Sequence, residues 1–313
     1  MKPSADITTP AIETRGLGRR FGSKWAVCDL NLSIPRGCVY GLLGLNGAGK
    51  STTIRMLMGV LEPTCGSARV LGYDPVTEDV AMKCRVGYVP DAPAFYEWMT
   101  AEEVCAFVAH YRRPEWDAKR AERLLRDFGV PANQRLRTLS KGQRAKVSLV
   151  LALAFSPDLL VLDEPTGGLD PLARRQFVEG VLAEYSESGR TILISSHLIN
   201  EISGLVDHVG ILHDGRLVRS EPTETLLARV KRVRLFYEGA PAPTACACSG
   251  LLRYTADGRE AVAVVDDYDS ARTAAEMARI GASHHVVEDL SLEEAFLEIV
   301  GPGAAAAAKE DES

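Results

Sequence analysis

Gly44-Leu45-Asn46-Gly47-Ala48-Gly49-Lys50-Ser51-Thr52 decides how the rest of the chain is read. The run before it, Cys38 to Leu43, is apolar and reads as a buried strand, and Thr53 to Leu61 carries apolar residues at helical spacing. Strand, glycine loop, lysine and hydroxyl, then helix is the context in which G-x-x-x-x-G-K-[ST] has a mechanism. The glycines let the backbone curl so that successive N–H groups and the helix N-terminus point at phosphate. Lys50 then reaches β- and γ-phosphates, and Ser51 offers its hydroxyl to Mg²⁺. A plain glycine turn with a surface lysine leaves a full match in this place unexplained.

Upstream, Ile12 to Leu17 and Val27 to Ile34 read as strands, separated by a basic turn through Arg19-Arg20-Phe21-Gly22. Phe21 and Trp25 precede the phosphate loop; Phe21 is the better candidate for stacking on an adenine ring, and Trp25 for packing. Downstream, Gly66 to Asp74 and Val86 to Pro90 read as strands, the second delivering Asp91. A carboxylate past the carboxyl end of a strand stands where α/β folds bind ligands, although a solvated loop acid has the same sequence. Residues 100–128 are helical in pattern. Thr100 and Glu103 form a capping box, Val104, Phe107, Val108 and Tyr111 share a face, and a second helix runs from Trp116 to Phe128.

Leu139-Ser140-Lys141-Gly142-Gln143 then opens an apolar helix from Arg144 to about Phe155, with free N–H groups beside a hydroxyl at its start. Leu159 to Leu162 is a short central strand that presents Asp163-Glu164-Pro165. Adjacent carboxylates repel unless a cation or proton-transfer duty occupies them. Asp163 suits Mg²⁺ and Glu164 suits water, since successive side chains diverge. Thr191 to Ser196, another buried strand, ends at His197, whose imidazole can donate to a γ-phosphate or to attacking water.

Taken in this order, Gly44 to Thr52, Leu139 to Gln143, Leu159 to Pro165, Gly167-Gly168-Leu169-Asp170 and His197 resemble the nucleotide-binding subunit of an ABC transporter. The resemblance covers about residues 13–228. It implies an α/β fold: a P-loop nucleoside triphosphatase core with an antiparallel β subdomain and a helical subdomain, plus a small α+β C-terminal domain. It implies ATP and Mg²⁺ as ligands and a head-to-tail dimer sandwiching nucleotide. Residue by residue, Lys50 would bind the β- and γ-phosphates, with Gly44, Asn46, Gly47, Ala48, Gly49 and Thr52 completing the cradle. Ser51 and Asp163 would hold Mg²⁺, Glu164 would polarise water, and His197 would be the switch histidine. Ser140, Lys141, Gly142 and Gln143 would face the partner's nucleotide, Asp170 would cross the dimer seam, and Phe21 would stack on adenine.

Two positions depart from the family pattern. Lys141 replaces a usual glycine, and Asp91 replaces a usual glutamine. Lys141 either strengthens anion contact or faces solvent; Asp91 keeps the reach to a hydrated Mg²⁺ but loses the amide donor. The wording from Tyr88 through Thr100, with Leu139 to Gly142, is similar to a bacterial exporter subgroup whose members pair with separately encoded permeases. Phe95, Tyr96, Trp98 and Met99 form an aromatic stretch that either packs beneath the helical lobe or offers a socket to such a permease.

The remaining sequence sets limits. Its 313 residues accommodate one large α/β domain and a small one. The expected division is a disordered arm over 1–12, the nucleotide-binding domain over 13–228, an accessory domain over 229–301 and a disordered tail over 302–313. A net charge of −6 gives no support to wholesale nucleic-acid binding, and seven cysteines without framework spacing suit a reducing compartment. No run of 18 apolar residues exists, so the expected location is cytoplasmic, peripheral on the cytoplasmic face of the cell membrane through a permease. The basic run Arg229 to Arg234 reads as a linker or solvated edge, and Cys246-Ala247-Cys248 as an ordinary loop. The alternatives are a non-transport ABC-type ATPase in DNA maintenance or translation, and a catalytically silent regulatory subunit. The first would be expected to carry a coiled-coil insertion or a second nucleotide domain, and the second sits poorly with retained Lys50, Asp163, Glu164 and His197.

Overall fold

Six strands align their ends where the phosphate loop begins. In this computed structural model, which describes residues 9–112, 115–165, 181 and 189–301, the sheet runs in the order β10-β9-β4-β8-β7-β6. Its strands are β4 (Val39–Leu43), β6 (Val86–Val89), β7 (Leu159–Asp163), β8 (Thr191–Ser196), β9 (His208–His213) and β10 (Arg216–Pro222). The pairs β4/β8, β4/β9, β6/β7 and β7/β8 are parallel. Parallel strands are buried on both faces, which is why Leu159-Leu160-Val161-Leu162 and Ile192-Leu193-Ile194 are unbroken apolar runs. Leu160 is fully buried, so Leu160→Ala is expected to cost about 2–5 kcal/mol. Register pairs Leu43 with Ser196, Asp163 with Ser195 and Val89 with Leu162. The loop after β4, Glu164, His197 and Asp91 therefore leave the sheet at one edge.

A second, antiparallel sheet joins β1 (Ile12–Phe21) to β2 (Lys24–Leu30), β3 (Ser33–Ile34) and β5 (Cys65–Val70). Two expectations change here. The stretch Arg19-Arg20-Phe21 is the end of β1 rather than a turn: Arg20 pairs with Trp25 and Phe21 with Lys24, leaving Gly22 and Ser23 as the turn. Val27 to Ile34 is two strands, because the Thr14 hydroxyl donates to Leu30 O (2.8 Å) and accepts from Leu32 N (2.9 Å), stitching the break into the core. The chain also enters the fold earlier than expected, since Ala11 and Ile12 are fully buried. The rest of the proposed arm, residues 1–8, and the tail 302–313 lie outside the described residues.

After α1 (Lys50–Leu57) and α2 (Asp79–Lys83) along the chain, the helical part consists of α3 (Ala101–Tyr111), α4 (Ala118–Asp127) and α5 (Lys141–Leu153). Capping boxes start α3 (Thr100 with Glu103) and α5 (Ser140 with Gln143); each cap is worth about 1 kcal/mol. Helix α5 begins at Lys141, three residues before the apolar pattern signals it, because the cap rather than the core sets its start. On α3 the buried face is Ala101, Val104 and Cys105, whereas Phe107 and Tyr111, expected on that face, are exposed. Residues 166–180 and 182–188 lie outside the described residues.

The chain divides into two compact units at Ser220/Glu221, ahead of the 228/229 boundary drawn from the charge run. The reason is the helix Thr223–Arg229, which packs on the helix Leu292–Val300 of the second unit. That unit has a four-stranded antiparallel sheet in the order β12-β13-β11-β14, from β11 (Lys231–Phe236), β12 (Leu251–Asp257), β13 (Glu260–Val265) and β14 (His284–Asp289). Val233, Leu235, Ala261, Ala263 and Val265 meet Met277 of the helix Ser270–Arg279. The basic run is thus no linker or edge: β11 is interior to its sheet. Its cations are paired, Lys231 with Asp289, Arg232 with Glu294 and Arg234 with Glu260 and Glu288.

Candidate functional site

Gly49 caps α1 (Lys50–Leu57) with φ 104°, and no side chain occupies the cap or places an acid in the first turn. The early N–H groups of a helix have no partner within it, so this end is left as a donor cradle. Gly47 has φ 86°. A Cβ on Gly49 would meet Ala26 O at 2.6 Å, and one on Gly44 would meet Leu212 O at 2.6 Å. Glycine here is a requirement of the turn and of close backbone approach. The cradle opens into a cavity of about 330 Å³ lined by Asn46, Gly47, Ala48, Gly49, Lys50, Ser51 and Thr52 together with Asp91, Glu164 and His197. Ala26, which carried no sequence signal, also lines it.

Lys50 is 5% exposed. Its ammonium donates to Gly44 O at 2.6 Å and Leu45 O at 3.3 Å, and lies 3.1 Å from Glu164 Oε1. The other oxygen of that carboxylate is 2.6 Å from His197 Nδ1, and His197 N donates to it at 3.4 Å. Glu164 is therefore clamped between a lysine from the helix after β4 and a histidine from the end of β8. Its backbone has φ 47°, a conformation that costs a non-glycine residue about 1–2 kcal/mol and turns the side chain off the strand line toward the cavity.

Asp163 is 1% exposed. Ser51 Oγ donates to its Oδ1 at 3.0 Å and Ser195 Oγ donates to the same atom at 2.9 Å. Burial pushes the Asp163 carboxyl above its ordinary range; the two hydroxyls oppose that, and the charges of Asp91 and Glu164 add to it. Ser195 is the site residue that sequence reading missed. Besides its bond to Asp163, it accepts from Glu164 N at 3.0 Å, so one hydroxyl positions both carboxylates. The signal was available as a polar pair, Ser195-Ser196, inside an apolar strand, since buried polar groups are there to be bonded.

The donor set fits a phosphate-bound divalent cation. Mg²⁺ is commonly held by one or two carboxylates together with substrate phosphates rather than by an all-protein cage. Among the described residues no group of three or more His, Cys, Asp or Glu side chains is arranged to hold a metal. A buried carboxylate beside a hydroxyl and a phosphate cradle has the donors that such binding calls for. Some expected residues stand elsewhere. Ser140, Lys141, Gly142 and Gln143 do not line the cavity of Lys50 in the same chain. Phe21 is not among its lining residues either; its ring is 51% exposed, with the Arg19 guanidinium 4.9 Å from the centroid. Asp170 lies outside the described residues.

A phosphate loop after β4, an acidic pair after β7 and a histidine after β8, on one edge of a parallel sheet, define a P-loop nucleoside triphosphatase. Residues 27–167 match the ABC transporter family. The chain is 35% identical over 227 residues to the bacitracin transport ATP-binding protein BcrA of Bacillus licheniformis, covering 71% of this chain and 72% of that protein. It is 36% identical over 235 residues to the daunorubicin/doxorubicin resistance ATP-binding protein DrrA of Streptomyces peucetius, covering 72% and 71%. A solved ATP-binding subunit of an ABC transporter superposes with a TM-score of 0.63 at 30% identity, over 70% of this chain and 92% of that one. The chain belongs to the ABC transporter family as an ATP-binding subunit, an ATPase coupled to transport. These relatives go with the transport reading and not with a non-transport ATPase. No helix of the described residues is long and apolar enough to cross a membrane.

Proposed function

We propose that this subunit hydrolyses ATP at the Lys50–Glu164–His197 cluster and drives export through a separately encoded permease. The observation that carries the chemistry is the Glu164 carboxylate held between Lys50 at 3.1 Å and His197 at 2.6 Å, beside a phosphate cradle. Phosphate oxygens compete with Glu164 for the Lys50 ammonium, so nucleotide binding releases the carboxylate to take a proton from attacking water. His197 holds the remaining oxygen and faces the γ-phosphate. Ser51 and Asp163 would hold Mg²⁺, with Asp91 in the same cavity; the cation supplies charge neutralisation on the β- and γ-phosphates. The N–H groups of Gly47 to Ser51 orient the phosphates, and Phe21 stacks on the base from outside the cavity.

The signature residues Ser140 and Gly142 are absent from the lining of their own cavity, which supports supply from a second copy, or a related subunit, in a head-to-tail pair with Asp170 at the seam. The permease meets the stretch between Asp91 and Tyr111. What supports this is a run of exposed aromatic rings: Tyr96 lies 5.9 Å from Trp98 and 6.0 Å from Phe107, and Phe107 lies 5.2 Å from Tyr111. Met99 is buried and drops out of that surface. Exposed aromatic clusters of this kind are characteristic of protein-contact sites. The subunit then sits on the cytoplasmic face, and the names of the two relatives make an antibiotic-like compound the cargo to test first. Co-expression with the neighbouring permease, membrane fractionation and crosslink mapping test this reading. The expected result is membrane recovery with crosslinks within residues 91–111; soluble protein only, with no crosslink there, contradicts it.

A further inference from the structure

β14 is the last strand of the second unit's sheet, whose order is β12-β13-β11-β14. It pairs with β11 over all six of its residues without a register shift, from Phe236 opposite His284 to Lys231 opposite Asp289. In an antiparallel pair the N–H and C=O groups of alternate residues point to opposite sides, so half of those on β14 face away from β11. Among the described residues, none of these outward groups bonds to another segment. Sheets blunt such an edge with lysine, proline or a bulge. The other edge strand, β12, has a register shift between Leu251 and Arg253, whereas β14 carries none of the three. Its side chains alternate between faces. Val287 packs on the core around Met277, and His284, Val286 and Glu288 share the opposite face. Val286 is 43% exposed. The His284 ring lies 4.6 Å from that of Phe236, and the Glu288 carboxylate is held by Arg234 at 3.6 Å and Arg232 at 3.9 Å. An imidazole, a valine and a carboxylate therefore follow one another along this face, with both polar ends held in place.

We propose that β14 is a self-association edge, to which a second copy of this chain adds its own β14 antiparallel, joining the two sheets into one. A two-fold axis perpendicular to the sheet keeps each face on its own side. Opposed residues must then come from the same face, and the register must centre on a residue. Centred on Val286, it sets His284 opposite Glu288 of the second copy and Glu288 opposite His284 of that copy, on either side of a valine pair at the axis. Moving the centre to Val287 sets Val286 against a carboxylate, and moving it to His285 leaves Glu288 opposite Ala282, outside the strand. The Val286 register is the one in which the pairs on this face match in charge and polarity. An imidazole N–H donates to a carboxylate whether or not the ring is charged. The main-chain ladder supplies affinity and the alternate side chains supply selectivity, and the contact is self-complementary as a two-fold interface requires. It involves no residue of the phosphate cavity, so it stands apart from the nucleotide-sandwich pair proposed above.

Sedimentation equilibrium of the full chain over a range of concentrations tests this, with nucleotide left out so that nothing bridges a sandwich pair. The parent is expected to dimerise. Val286→Lys sets lysine against lysine at the axis and His284→Glu sets glutamate against Glu288, so each should weaken association by at least about fivefold. Both positions are exposed, and parental circular dichroism separates a lost edge from a lost fold. A short bifunctional maleimide should also join Val286→Cys to its copy, across about 4.5–5.5 Å between Cβ atoms, above the background of the parent's own cysteines. Thr255→Cys, on the opposite edge strand β12, should stay at background. A parent that is monomeric at every concentration, a dimer unmoved by both charge substitutions, or crosslinking through Thr255→Cys and not through Val286→Cys overturns the proposal.

Discussion

Replacing Ser195 by alanine removes the one hydroxyl that serves both acidic residues, through the Asp163 carboxylate and the backbone of Glu164. Ser195 is completely buried, donates to Asp163 Oδ1 at 2.9 Å and accepts from Glu164 N at 3.0 Å. Losing a hydrogen bond to a charged group costs about 1.5–3 kcal/mol, and leaving a sheltered N–H without its acceptor costs about 1–3 kcal/mol. Ser51 still bonds Asp163 at 3.0 Å, so the two costs do not add in full, and a loss of about 2–4 kcal/mol is expected. Groups that orient metal-binding carboxylates change metal affinity or activity by roughly 10–100-fold, so half-saturating Mg²⁺ should rise by about that factor. The control is Ser196→Ala. Ser196 accepts from Leu198 N at 2.9 Å and touches neither carboxylate, so its loss should cost about 1 kcal/mol and leave the Mg²⁺ requirement alone. Urea unfolding and Mg²⁺ titration of ATPase rate check both variants. A Ser195→Ala protein with parental stability and an unmoved Mg²⁺ curve refutes the positioning argument.

Three further outcomes follow from the same geometry. Asp91→Ala should raise the Mg²⁺ requirement while Asp91→Gln keeps activity; titration curves of both that overlay the parent would return Asp91 to an ordinary loop acid. The raised Asp163 carboxyl has a defined sign: the native state holds that proton more tightly than the unfolded chain, so its stabilising contribution is complete below the unfolded value and is lost as pH rises through the folded one. Asp163→Asn should therefore gain stability relative to the parent as pH rises above the ordinary carboxylate range while losing Mg²⁺-dependent turnover; a difference that stays flat as pH rises contradicts the desolvated site. Finally, a chain ending after Pro222, at the close of β10, should retain ATP binding, because every residue of the phosphate cavity precedes it; a folded truncation that no longer binds ATP contradicts this separation.

The parallel sheet and its chemical edge were legible because both follow from short-range signals. Buried parallel strands are continuous apolar runs, and β7 and β8 announce themselves as such. Each ends directly in the residues that matter, so order along the chain was enough to collect Lys50, Asp163, Glu164 and His197 at one edge. What misled the reading was long-range compensation. Arg19 and Arg20 look like a turn because their charges are visible and their partners are not; in the fold they lie on β1 opposite β2. Arg232 looks like part of a linker until Glu294, sixty-two residues away, is placed 3.0 Å from it. Phe107 fits an inward helical stripe by spacing, yet the buried face of α3 is turned toward Ala101, Val104 and Cys105, and only tertiary packing sets that rotation. Ser195 escaped because the polar pair Ser195-Ser196 marks a bonded site without naming its partner, a carboxylate from the neighbouring strand.

The most direct test of the account is ATP turnover and ATP retention by the purified chain and by Glu164→Gln, assayed together with Mg²⁺. The glutamine keeps the shape of the side chain between Lys50 and His197 but removes the base, and Lys50 keeps its bonds to Gly44 O and Leu45 O. A general base contributes roughly 10²–10⁴-fold, so turnover should fall by at least about 10²-fold while ATP stays bound. Near-parental turnover by Glu164→Gln would contradict the assignment of Glu164 as the group that activates water.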